Sequence, residues 1–133
     1  VIRLPDWKAS LCTEIDAAHS RPVAWGTHDC LQFVARCVQA MTGENPAASY
    51  PAYDSEDAAY QLVSEHGGIT AMLTAAFGEP VAPNLAHVGD VVVANFKGRE
   101  TGGICIGTNC VFAGTRGGIS SRSRECILRA WKI

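Results

Sequence analysis

Hydrophobic positions follow two different spacings in the two parts of the chain. In residues 5–19, Trp7, Leu11, Ile15 and Ala18 recur every three or four positions, the stripe of an amphipathic helix opened by Pro5 and stopped at Pro22. A second stripe, Phe33, Val34, Cys37, Val38 and Met41, begins after Asp29, whose side chain suits an N-cap, and closes at Gly43 as a left-handed C-terminal residue. Cys30 then falls in the first turn of that helix. The Pro- and Ala-rich stretch 44–53 reads as a loop. Asp54 or Ser55 starts a third helix through Ala59, Leu62 and Val63 to His66, ended by Gly67 and Gly68. Residues 69–77 form a short fourth one.

After Gly78, Pro80 and Pro83 the pattern changes. Residues 88–96, 103–106, 110–113 and 127–133 are short, rich in β-branched or aromatic side chains, and separated by Gly or Asn turns, which predicts an antiparallel sheet. Helices come first and strands second, without a β-α-β rhythm. The expected class is therefore α+β, with helices (about residues 5–78) packed on one face of a small sheet (about residues 88–133) in one domain spanning 1–133.

The chain has 133 residues, 47% hydrophobic and 18% charged, enough for one domain to bury a core unaided. Its formal charge of -2 and pI near 6.1 lack the basic surplus of a phosphate-tracking surface, so no nucleic-acid partner is expected. The longest apolar runs fall far short of the roughly 20 residues that span a bilayer, and the first residues lack a signal peptide's apolar core. The expectation is a soluble protein without an export signal or membrane span. Six cysteines (12, 30, 37, 105, 110 and 126) show no Cys-x-x-Cys spacing, and the histidines (19, 28, 66 and 87) show no paired ligand spacing. Reduced thiols are expected, with no metal and no cofactor.

The segment Trp25-Gly26-Thr27-His28-Asp29-Cys30 is the most informative, because it delivers a cysteine to a helix N-terminus directly after a glycine turn. Unpaired N–H groups and the positive end of the helix dipole favour a thiolate there, and the same amides suit a developing oxyanion. The helix end supplies only about 0.3 to 1 kcal/mol, less than one pKa unit at about 1.36 kcal/mol. A nucleophilic Cys30 therefore needs a base, normally histidine.

Trp25-Gly26-x-x-Asp29-Cys30-x-x-Phe33-Val34, the Val88-Gly89-Asp90-Val91-Val92 segment and Gly103-Ile104-Cys105-Ile106-Gly107 together resemble the NlpC-type branch of papain-like cysteine peptidases. More narrowly they are similar to a subgroup encoded in bacteriophage and prophage tail gene clusters. The likeness runs in order from Trp25 to Trp131. It implies a papain-like fold, a peptidoglycan-cleaving ancestry with Cys30 as nucleophile, and a histidine at the start of the second strand oriented by a polar residue on the next. Sliding the family's His-Val-Gly-Ile onto this chain places Thr101 at the base position, and Ala113 falls at or next to the orienting position. Neither side chain serves, and no histidine follows His87.

Two other histidines are candidate substitutes. His28, two residues before Cys30, would have to fold back toward the thiol, and His87 stands one strand earlier than the family's base. His19 and His66 end helices, where exposed imidazoles suit the negative dipole end. Trp25 and Asp29 are candidate substrate-binding residues, although a tryptophan beside a glycine turn is more often a packing anchor. Cys30 is also readable as apolar filler, and Cys37 as core. Cys105 and Cys110 flank Gly107-Thr108-Asn109 and face each other only if the turn register allows it. Arg116, Arg122, Arg124 and Arg129, interspersed with Ser and Gly, read as a solvated or protein-contacting surface.

The resemblance thus implies a virion component at the phage tail tip or baseplate, in contact with hub and baseplate proteins. It would keep the peptidase scaffold and Cys30 without the histidine needed for rapid hydrolysis. The competing expectation is an active peptidoglycan endopeptidase or amidase, with a non-standard histidine or a partner chain's imidazole activating Cys30.

Overall fold

A computed structural model describes residues 2–133. The helices are α1 (Trp7–Ala18), α2 (Cys30–Thr42), α3 (Glu56–Glu65) and α4 (Ile69–Phe77). Two of their predicted caps are built as the residue types demand. Asp29 Oδ1 accepts from the Gln32 N–H and Ser55 Oγ from the Ala58 N–H, while Gly43 ends α2 at φ 82°. The N-terminus of α4, preceded by Gly68, has no side-chain cap of its own. Glu100 of the sheet meets it instead, accepting from the Thr70 hydroxyl at 2.7 Å.

The strands are β1 (Val91–Phe96), β2 (Arg99–Cys105), β3 (Asn109–Ala113), β4 (Ile119–Ser123) and β5 (Arg129–Trp131). They form one antiparallel sheet in the order β4-β3-β2-β1-β5. The chain is therefore α+β, with four helices and a five-stranded sheet. β1 starts three residues later than the run of β-formers predicts, because Val88, Gly89 and Asp90 are taken by a turn that buries the Asp90 carboxylate. β4 is an addition to the predicted set. Its residues, Ile-Ser-Ser-Arg-Ser, carry no apolar alternation because it is a mostly exposed edge strand, held by the β3 ladder rather than by burial.

Each face of the sheet has its own core. Val91, Val93, Ile104, Val111 and Trp131 pack on the helix side with Leu11, Phe33, Val34, Val38, Met41 and Leu73. Val92, Ala94, Cys105, Cys110, Phe112 and Ala130 form a smaller cluster on the opposite side, under Ala86 and Ile127. This period-two division fixes where every β2 side chain points. Asp90 ties the chain's two ends to the sheet. Arg3 donates to Oδ1 at 3.0 Å, Lys132 to Oδ2, and the N–H groups of Ile133 and His87 take the remaining lone pairs.

Candidate functional site

The site begins at the turn before α2. Gly26 has φ 87°, and a Cβ there would fall 1.9 Å from the Tyr53 carbonyl oxygen, so only glycine lets the turn pass under the 44–53 loop. Asp29 is saturated by neutral donors: the Gln32 N–H on Oδ1 at 2.9 Å, the Gly26 N–H on Oδ2 at 2.8 Å, and the Tyr53 hydroxyl within bonding distance of both oxygens. The Asp29 of the sequence motif is thus committed to capping α2. Tyr53 is held in turn, with its pKa raised by burial and by its hydrogen bond to Asp29. No local pattern identifies Tyr53, which lies 24 residues along the chain from its partner.

Cys30 is the first residue of α2. Burial, and then the Asp29 charge, push its thiol up to about 11, although the N–H groups of Gly102, Leu31 and Cys30 itself point at the sulfur and pull the other way. At neutral pH the thiolate is on the order of one sulfur in ten thousand. The helix N-terminus loses to desolvation here. The N–H donors suit an anionic sulfur or oxyanion, but the carboxylate beside them has the wrong sign to help make one.

None of the four histidines is hydrogen-bonded to Cys30. His28 is buried, and its Nε2–H donates to the Gly118 carbonyl at 2.7 Å; the opposite nitrogen, Nδ1, has no partner among the described residues. Its ring packs edge-on against Phe33 and serves as a strut beneath the loop before β4. His87 is exposed, with Nδ1 accepting from Lys132 at 2.9 Å in the Asp90 cluster, beside the Cys105 end of β2. His66 donates from Nδ1 to the Leu62 carbonyl at 2.8 Å, and His19 caps α1 at the surface. The structure does not bring His28 or His87 to the thiol as a substitute base.

Thr101, the residue to which the resemblance assigns the base position, lies on the face of the sheet opposite the helices. Thr101 pairs with Ala94 and shares its face, away from the helices, with its hydroxyl donating to the Arg99 carbonyl. Gly102, opposite Val93, is the β2 residue that meets α2: a Cβ on it would lie 3.3 Å from Val34 and 4.0 Å from the Cys30 carbonyl oxygen. The strand thus presents a backbone N–H to the sulfur and no side chain. The glycine pair Gly102-Gly103 carries no side-chain alternation, so the sequence alone does not show which of the two faces the helices. Ala113 ends β3 opposite Ile119 and packs against the helix-side core.

Trp25 is half-buried and meets the Tyr60 ring edge-on at 5.8 Å, with the Arg99 guanidinium 4.7 Å over that ring. Behind α2, a cavity of about 250 Å³ opens between the 44–53 loop, α3 and α4, with Leu31, Val34, Tyr50, Tyr53, Met72 and Phe77 among its walls. Cys30 does not line it. Among the described residues, no group of three His, Cys, Asp or Glu side chains is arranged to hold a metal ion, and no helix is long and apolar enough to cross a membrane.

The chain belongs to the family described as Domain of unknown function (DUF6950), which it matches over residues 2–133. No curated protein matches it.

Proposed function

We propose that this domain retains a papain-like, NlpC-type peptidase frame as a non-hydrolytic structural part of a phage tail tip or baseplate. The observation that carries the loss of hydrolysis is the surround of Cys30: backbone N–H donors and a capped carboxylate, with no imidazole bonded to the sulfur. General-base assistance contributes about 10² to 10⁴ in rate, so what remains is trace chemistry. The tail placement is supported by the ordered likeness from Trp25 to Trp131 to proteins of tail gene clusters. In this reading the contacts are with hub and baseplate proteins.

The N–H groups gathered on the Cys30 sulfur favour one competing reading, an active peptidoglycan endopeptidase or amidase completed by a histidine from a neighbouring chain. One experiment separates the two. Purified protein and the Cys30→Ala variant are incubated with peptidoglycan sacculi, alone and together with the tail particles of the phage or prophage that encodes the chain. Equal background release of peptide fragments in every arm is expected. Release that depends on Cys30 overturns the structural reading, and absence of the chain from those particles by mass spectrometry overturns the tail assignment.

A further inference from the structure

Cys105 and Cys110 are directly opposed across the β2–β3 ladder, and both are completely buried. The Ile106 N–H bonds to the Asn109 carbonyl on the next rung, while the peptide groups of Cys105 bond instead to Gly89 and Asp90 on the other side. The Cys105–Cys110 rung is therefore a non-hydrogen-bonded one, where opposed Cα atoms lie about 4.5 Å apart. That falls within the span of about 4.4 to 6.8 Å over which a disulfide closes. Both thiols are free, and the Cys105 sulfur rests 3.7 Å from the Gly107 carbonyl.

A third sulfur joins them. Cys126, in the short helix Arg124–Cys126, packs against the same cluster and is itself partly exposed. Two arginines lie near this cluster, Arg122 directly opposite Cys110 across the β3–β4 ladder and Arg124 in the same short helix as Cys126. Arg124 is fixed by the carbonyls of Gly107, Pro83 and Ala86, and Arg122 lies on β4 with its guanidinium over the Phe96 ring.

We propose that Cys105, Cys110 and Cys126 form a thiol-exchange site, in which Cys126 takes up a small anionic disulfide of the glutathione class and the facing pair resolves it into a cross-strand disulfide. The Cys126 thiolate attacks one sulfur of the incoming disulfide and expels the other half as a thiolate. Cys110, its proton lost to solvent, attacks the Cys126 sulfur, and the second half leaves. Cys105 then attacks the Cys110 sulfur, which closes the Cys105–Cys110 bond and returns Cys126 to a thiol. Two protein thiols are oxidised, the small disulfide is reduced to two thiols, and the protons given up by Cys105 and Cys110 end on them.

Arg124 and Arg122 favour the thiolates of Cys110 and Cys126 respectively, but burial outweighs them, raising Cys126 and pushing Cys110 up to about 12. Exchange is therefore slow at neutral pH and accelerates about tenfold per pH unit through the mildly alkaline range.

The test uses the full chain carrying Cys12→Ser, which removes the exposed thiol of α1. Incubation with oxidised glutathione at pH 8 and pH 9, an acid quench and peptide mapping should show loss of two hydrogens with a Cys105–Cys110 link, formed about tenfold faster at pH 9. Adding Cys126→Ser, a substitution at a partly exposed position, should slow the link at least about tenfold. Adding Cys110→Ser should instead leave one glutathione attached at Cys126. Six-hour persistence of both buried thiols in the parent, a link between other cysteines, or an unslowed Cys126→Ser variant would each overturn the proposal.

Discussion

Two carboxylates are buried among the described residues, and the difference between them bears directly on Cys30. Asp90 faces two cations, Arg3 and Lys132, besides two backbone N–H groups. Asp29 is satisfied as fully, but by amides and a phenol that carry no net charge. Hydrogen-bond satisfaction is alike in the two; charge compensation is not. Burial raises the neighbouring thiol most, and the uncompensated charge of Asp29 adds to it, so the residue that builds the helix start also works against a thiolate at Cys30.

The largest expected effect breaks the compensated pair. Asp90→Ala removes the carboxylate that Arg3 and Lys132 share and leaves two N–H groups unpaired, and should cost about 3 to 5 kcal/mol in urea unfolding. Lys132→Ala should cost far less, about 1 kcal/mol, because its side chain is 44% exposed. Asp29→Ala falls between the two, at about 2 kcal/mol, from the lost cap and the freed Tyr53 hydroxyl.

Stability should also depend on alkaline pH through Cys30. Its thiol titrates near 9.0 when unfolded and at about 11 in the native state. The contribution is therefore intact below pH 9 and is lost as the pH rises toward 11. Cys30→Ala should remove about 1 to 2 kcal/mol of that decline, measured as the difference between unfolding free energies at pH 8 and pH 10.5. The smallest effects sharpen the comparison most. Asp29→Asn should move the midpoint of Cys30 alkylation below about 11, whereas Asp90→Asn should leave it in place. A histidine introduced by Gly102→His should lower that midpoint, and Thr101→His, on the far face of the sheet, should not.

Much of the scaffold was legible because it rests on local chemistry. Asp29 and Gly43 bracket α2, Ser55 starts α3, and the 69–77 pattern matches α4, since caps and stripes act within a turn or two. β4 was not legible because an exposed polar strand is specified by its neighbour, and the start of β1 was misplaced because the role of Asp90 depends on Arg3 and Lys132 at the two ends of the chain. For the candidate site, the position of Cys30 at a helix start could be read, but its surround could not. Tyr53 on Asp29, Gly102 on the sulfur and Gly118 on His28 are all long-range, and two of the three are glycines with no side chain to announce them.

The clamp around Asp90 has a topological consequence. The Arg3 side chain bonds the Ile133 carbonyl at 2.7 Å, so residues 3 and 133 are neighbours in space. With residues 2 and 133 joined through a few flexible residues and the chain cut at the exposed Lys97-Gly98 bend, the domain should refold to the same architecture.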